Sequence, residues 1–186
     1  MPDVVEEKHI RLDIGCGTNK RKDGEWIGVD TIDFPDVDVV SDALTYLKTL
    51  EDNSVEEMFA SHFLEHLNGE DRVLFMNEAW RVLQDKAKFT IVCPHWSHER
   101  AYGDPTHKWP PVNSWTFYYM NKGWRDVNAP HCGYTCDFDF GVAGSFDPND
   151  SYVANRNIET KMIFMSRNIN VTTDIIATLN KKAAVI

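Results

Sequence analysis

Apolar and polar positions alternate in short runs along the first half of the chain, with glycine, proline or acidic residues between the runs. Ile10, Leu12 and Ile14 mark a first strand, because every second residue of an extended chain faces the same side. Trp26, Ile27 and Val29 begin a second strand that closes on Asp30. Residues 36–40 read as a third, followed by the acid Asp42. Residues 56–61 read as a fourth, running into Ser61-His62 and then Glu65-His66. The period then changes. Asn68 is placed to cap a helix over residues 69–85, where Val73, Met76, Trp80 and Leu83 recur at spacings of three and four and form one buried face. Residues 88–93 are a fifth strand, and 114–122 a short helix after Pro110-Pro111. Residues 134–141 alternate as a sixth strand. Ala154, Ile158, Met162, Met165 and Ile169 keep helical spacing, and 174–181 is the last strand. Strands interleaved with helices predict an α/β fold around a mostly parallel sheet.

The turn after the first strand carries the most chemistry. Gly15 and Gly17 let the backbone turn sharply and approach a ligand with no side chain in the way. Asp30, at the carboxyl end of the next strand, can accept hydrogen bonds from the two hydroxyls of a ribose. Together they imply an adenosine-containing cofactor at the sheet edge. An ordinary turn could carry the same two glycines, but acids at Asp13 and Asp30 sharpen the signal. A dinucleotide fingerprint requires a third glycine opening a long helix. Asn19 holds that position, and only the eight residues Thr18 to Glu25 precede Trp26, too few for a full crossover helix. Lys20, Arg21 and Lys22 fill the gap with positive charge. Asp42 can accept from an adenine amino group, with the Ala43 N–H facing a ring nitrogen.

In this order, the motif D-x-G-C-G (residues 13–17), a ribose acid, an adenine acid and A-S-H-x-L-E-H-L (residues 60–67) resemble the class I S-adenosylmethionine-dependent methyltransferases, in their type 11-like branch. The resemblance spans roughly residues 9–95. It implies a Rossmann-like, mostly parallel seven-stranded sheet with an antiparallel strand and helices on both faces, here with the first crossover helix shortened. It implies S-adenosylmethionine as cofactor. It places Asp13, Gly15, Cys16 and Gly17 around the methionine and ribose, Asp30 and Thr31 at the ribose, and Asp42 and Ala43 at adenine. Ser61 and His62 fall near the methionine and the transferred methyl. Cys16 serves as a small residue whose backbone matters, since nothing beside it marks a lowered thiol pKa. With no full helix to offer its positive end, Lys20 or Arg21 is the candidate partner of the cofactor carboxylate, against the alternative of a solvated charge run. The missing third glycine, the short crossover and the glycine-free approach LQDKAKF to the fifth strand depart from the family pattern and bear on that carboxylate more than on the adenosine. The expected activity is methyl transfer to a small-molecule acceptor. The alternative is a catalytically inactive S-adenosylmethionine or S-adenosylhomocysteine-binding module acting as scaffold or sensor.

Residues 94–133 form an insertion on the substrate side, rich in aromatics and histidines. His95, His98 and His107 are candidate general bases there, with His62 a competitor after the fourth strand. The competing reading is a structural loop whose histidines cap turns and whose tryptophans fill an outer core. H-x-x-H spacing at His95 and His98 and the group His131, Cys132 and Cys136 match no zinc knuckle, and no metal is expected. A chain of 186 residues, 42% hydrophobic, suits one domain over 1–186. The net charge of −10 argues against broad nucleic-acid binding without excluding a locally held one. No apolar run spans a membrane, and MPDVVEEKH lacks a signal peptide's apolar core. Four scattered cysteines form no disulfide framework, which points to a cytoplasmic setting.

Overall fold

The computed structural model describes residues 10–183; the N-terminal segment MPDVVEEKH lies outside them. Seven strands form one sheet: β1 (Ile10–Ile14), β2 (Ile27–Asp30), β3 (Val39–Val40), β4 (Val55–Ser61), β5 (Leu83–Pro94), β6 (Phe138–Gly144) and β7 (Asp174–Lys181). Their spatial order is β3-β2-β1-β4-β5-β7-β6. The first five pair in parallel, and β7 runs antiparallel to both β5 and β6. The helices are α1 (Ala43–Leu47), α2 (Gly69–Val82), α3 (Arg100–Gly103), α4 (Ser114–Tyr118), α5 (Lys122–Asn128), α6 (Ser151–Ala154) and α7 (Ile158–Arg167). The first two crossovers, 15–26 and 31–38, are loops, the first as its length predicts.

Alternation in the strands decides where the core sits. Met58 and Ala60 of β4, Phe89, Ile91 and Cys93 of β5, and Ile175, Ala177 and Leu179 of β7 point to one face and are buried. Phe75, Met76 and Ala79 of α2 and Phe117 of α4 pack into the same core. The opposite face presents Phe59, Thr90, Val92, Ile176 and Thr178, all only half-buried. Arg21 lies across it, with its guanidinium 4.5 Å from the Phe59 ring centre. The carboxyl ends of the parallel strands therefore open onto one edge, where the loops after β1, β2, β4 and β5 meet.

Several boundaries differ from the sequence reading: the fifth strand, expected over 88–93, spans Leu83–Pro94, and the helix expected over 114–122 ends at Tyr118. The third strand shrinks to two residues, since only Val39 and Val40 pair with β2. The helix expected to reach 85 ends at Val82, because Leu83 already pairs with Val55 of β4. Where a glycine is missing, Lys86 takes the left-handed turn itself, at φ +66°. The sixth strand begins at Phe138 rather than at 134. The Asn77 side chain of α2 accepts the backbone N–H groups of Thr135 and Cys136, so this approach is tied to a helix rather than to a strand. The helical spacing from Ala154 to Ile169 does give α6 and α7, but its stripe faces solvent: Ile158 is 72% exposed and Met162 65%.

Candidate functional site

The glycine turn is built as its sequence requires. Gly15 and Gly17 have φ of +66° and +52°. A side chain on Gly15 would stand 2.8 Å from the Phe63 ring, so the turn after β1 presses against the turn after β4. A side chain on Gly17 would meet nothing within 4 Å, which leaves its backbone facing open space. Asp30 Oδ2 accepts the Gly17 N–H at 2.9 Å and Oδ1 the Ile32 N–H at 3.0 Å. The acid thus fixes the turn and still has lone pairs to offer. Thr31 is exposed beside it.

Asp13 serves the loop that replaces the first helix. It is buried and accepts the Arg21 N–H at 2.8 Å. Burial pushes its pKa up, against the opposing pull of that hydrogen bond. Lys20 reaches Asp38 at 2.8 Å, and Asp38 also accepts the Gly28 N–H at 2.7 Å. Arg21 pairs with Asp23. Both basic residues are therefore already engaged by acids of this chain. Cys16 is buried, and burial, then Asp13 and Asp30, raise its thiol pKa to about 11, which suits a backbone role. Asp42 caps α1 by accepting the Thr45 N–H at 2.8 Å and is an exposed residue next to Ala43.

Beyond Ser61, the half-buried end of β4, His62 has a left-handed backbone at φ +54°. Such strain in a non-glycine residue persists only where its surroundings enforce it. Its Nδ1 lies 3.3 Å from Glu65 Oε1 and its Nε2 3.9 Å from Asp174 Oδ1. Glu65 is 4% exposed. Burial pushes its pKa up, but hydrogen bonds from His62, its own backbone and Cys93 outweigh that and hold it below the usual value. A cavity of about 760 Å³ opens here, lined among others by His62, Glu65, His66, Arg100, Asp104 and His107. That volume suits a small molecule.

His62 and His107 thus share one cavity. His95 does not line it: its Nδ1 is held by the Ser97 hydroxyl at 2.8 Å, and its ring packs on Trp96. His98 lines a neighbouring recess with Asp147 and Asn170. Sequence reading passed over Glu65 and His66 as site residues. Their signal was the E-H step inside A-S-H-x-L-E-H-L, but its partner His107 lies 41 positions on and is brought back only by the loop. Among the described residues, Glu65, His66 and His107 are the one group of three potential metal ligands. Neither His95 with His98 nor His131 with the two cysteines forms one.

No protein-family model and no curated protein sequence matches the chain. Solved structures do. An S-adenosylmethionine-dependent methyltransferase from Archaeoglobus fulgidus is 23% identical, with a TM-score of 0.67 over 94% of this chain and 87% of that one. One from Methanosarcina mazei is 14% identical, with a TM-score of 0.55 over 97% of this chain and 95% of that one. The chain has the class I methyltransferase fold. In this methyltransferase fold the glycine turn, Asp30 and Asp42 stand on three successive strand ends, and Phe63, which packs on Gly15, follows His62 of the cavity.

Proposed function

We propose that the chain is an S-adenosylmethionine-dependent methyltransferase acting on a small-molecule acceptor, as one domain whose 94–133 segment forms the acceptor side. The observation that carries this reading is the open backbone at Gly17 tied to Asp30, next to a cavity holding two histidines. The donor set fits the cofactor. Asp30 and Thr31 would hold the ribose, Asp42 and Ala43 the adenine, and Gly15, Gly17, Ser61 and His62 the methionine side. The cofactor supplies a sulfonium-activated methyl group. The chain's task is then to orient an acceptor and exclude water. His62, between Glu65 and Asp174, can hold a proton released by the acceptor, and His107 faces it from the loop. Lys20 contributes to cofactor binding only if its pair with Asp38 opens.

Among the described residues no helix is long and apolar enough to cross a membrane. The free cysteines fit a reducing cytoplasm. A second reading, a binding module without turnover, draws on the two crossovers that lack helices and so offer no helix end to the cofactor carboxylate. Calorimetry with S-adenosylhomocysteine, followed by a metabolite screen with radiolabelled S-adenosylmethionine, separates the two. Binding with transfer supports the enzyme, binding without any transfer the module, and no binding refutes both.

A further inference from the structure

We propose that Glu65, His66 and His107 form a binding site for a divalent transition-metal ion of the Zn²⁺ type, with its open coordination position facing the cavity. One ligand atom from each of the three residues lies within 4.8 Å of the others. Two imidazoles and a carboxylate with room for an exogenous ligand are a donor set such ions accept.

Each of the two rings turns its Nδ1 to an acceptor. The Thr106 hydroxyl has a single hydrogen, which it gives to Asp104 Oδ1 at 2.6 Å. Its oxygen, 2.9 Å from His66 Nδ1, must therefore accept from that nitrogen. In the neutral ring His66 Nδ1 then carries the proton, which leaves the Nε2 lone pair for an ion. His107 Nδ1 stands 3.3 Å from the Ala101 carbonyl, which can only accept. In the neutral ring with its proton on Nδ1, the His107 Nε2 lone pair is open to an ion, which would stand near the Asp104 carboxylate. A ring N–H held by a carbonyl or by a carboxylate-bound group is the arrangement that orients metal-binding histidines.

Glu65 supplies the charge. Its Oε1 is engaged by His62, while Oε2 is buried with no hydrogen-bond partner of ordinary geometry. The buried Cys93 thiol beside the carboxylate is a weak donor at best. A buried carboxylate oxygen with only a thiol as its neighbouring donor is poorly solvated, and a cation relieves that cost. The wall of the cavity has little cation of its own: Arg100 is paired with Asp174 at 3.2 Å, while Glu99 and Asp104 add negative charge. Asp104 Oδ2 stands 3.9 Å from His107 Nε2. Ligand atoms on a tetrahedral Zn²⁺ ion lie roughly 3.4 Å apart, given bonds of about 2.1 Å. The set must draw in from within 4.8 Å by about 1.4 Å to reach this, and both histidines are only half-buried.

An ion here would face the space assigned to the acceptor and could bind its oxygen or nitrogen. That role rests on the methyltransferase reading, whereas metal binding does not. The test uses the full chain without an affinity tag, freed of metal by a chelator and then titrated with Co²⁺ and Zn²⁺. The expected result is one ion per chain, visible Co²⁺ absorption of a four- or five-coordinate site, and its loss on adding Zn²⁺. His66→Ala and His107→Ala should each weaken Zn²⁺ by more than the roughly 10- to 100-fold that loss of a supporting hydrogen bond costs, and Thr106→Val should weaken it within that range. If His66→Ala fails to fold, His107→Gln on the loop decides. A wild-type chain that takes up no Co²⁺ or Zn²⁺ overturns the site, and so do variants that bind Zn²⁺ like wild type. S-adenosylhomocysteine binding, measured on the same samples, keeps the two ideas separate. Cofactor binding without metal rejects only the site, and metal without cofactor rejects only the methyltransferase reading.

Discussion

Replacing Asp30 with alanine should weaken two things at once, and their separation tests the cofactor reading. In the folded chain the carboxylate accepts the N–H groups of Gly17 at 2.9 Å and Ile32 at 3.0 Å. Hydrogen bonds to charged acceptors are worth roughly 1.5–3 kcal/mol each when sheltered. Asp30 is only half-buried, and water replaces part of what is lost. A stability loss of about 1–2 kcal/mol follows. For a chain of this length that lowers the melting temperature by about 2–8 °C. If Asp30 also holds a ribose, the substitution leaves its hydroxyls unpaired, at a further cost of about 1–3 kcal/mol in binding. The dissociation constant of S-adenosylhomocysteine then rises roughly 5- to 150-fold. Asp30→Asn keeps one acceptor oxygen and should fall between. Thermal unfolding and calorimetry on the same preparations read both effects. If Asp30→Ala melts earlier as expected but binds S-adenosylhomocysteine with unchanged affinity, the carboxylate is a clamp for the turn and the ribose assignment is refuted.

Arg72→Leu should cost about 2–4 kcal/mol in urea unfolding, because the buried guanidinium donates to the carbonyls of Leu64, Lys108 and Pro110 and nothing replaces it; a loss below about 1 kcal/mol would mean those bonds do not hold the loop. His95 predicts a pH effect. Burial, and then His98, hold its pKa below 6.5, so the folded state binds its proton less readily than the unfolded chain. Its contribution is complete above pH 6.5 and is lost as the pH falls toward the folded value, and His95→Asn should flatten that part of a melting-temperature profile. Thiol labelling of the native protein should find Cys132 fast and the buried Cys16, Cys93 and Cys136 slow until the chain unfolds. Fast labelling of Cys93 would contradict its burial behind Glu65.

The sheet was legible because its strands are bounded by residues with strong local preferences. Ile10–Ile14 ends in glycines, 27–30 in an acid, and 174–181 alternates throughout. Asn68 caps α2 as expected, accepting the Asp71 N–H at 2.9 Å. What misled was tertiary. Tyr134 to Asp137 has strand periodicity, yet Asn77 holds its backbone, and pairing with β7 starts only at Phe138. The helix past Val82 was cut short by the pull of β4 on Leu83, an interaction with no local signature. The stripe through Ile158 and Met162 shows the limit of periodicity: it predicts the helix but not whether anything covers it.

The cofactor side and the cavity differ in legibility for the same reason. Gly15, Gly17 and Asp30 belong to one turn and the strand beside it, so their spacing already encodes their proximity. Glu65 and His66 meet His107 only because the loop after β5 folds back on the turn after β4. Several contacts enforce that return, the Thr106 hydroxyl at His66 Nδ1 and the edge-on His66 and His107 rings among them. The Lys108 N–H donates to the Glu65 carbonyl at 2.8 Å, and Arg72 gathers the carbonyls of Leu64, Lys108 and Pro110 around one buried guanidinium. Arg72 lies on α2 and makes no hydrogen bond to the side chains of the three proposed ligands, but it sets the distance between the two segments that carry them. Loosening that clamp should therefore spare the glycine turn and disturb the cavity. Arg72→Lys, which retains the charge but cannot span three carbonyls, is expected to bind S-adenosylhomocysteine like wild type while Zn²⁺ affinity falls. Equal loss of both would place the loop and the cofactor turn in one cooperative unit and refute a clamp by Arg72 that acts on the cavity separately.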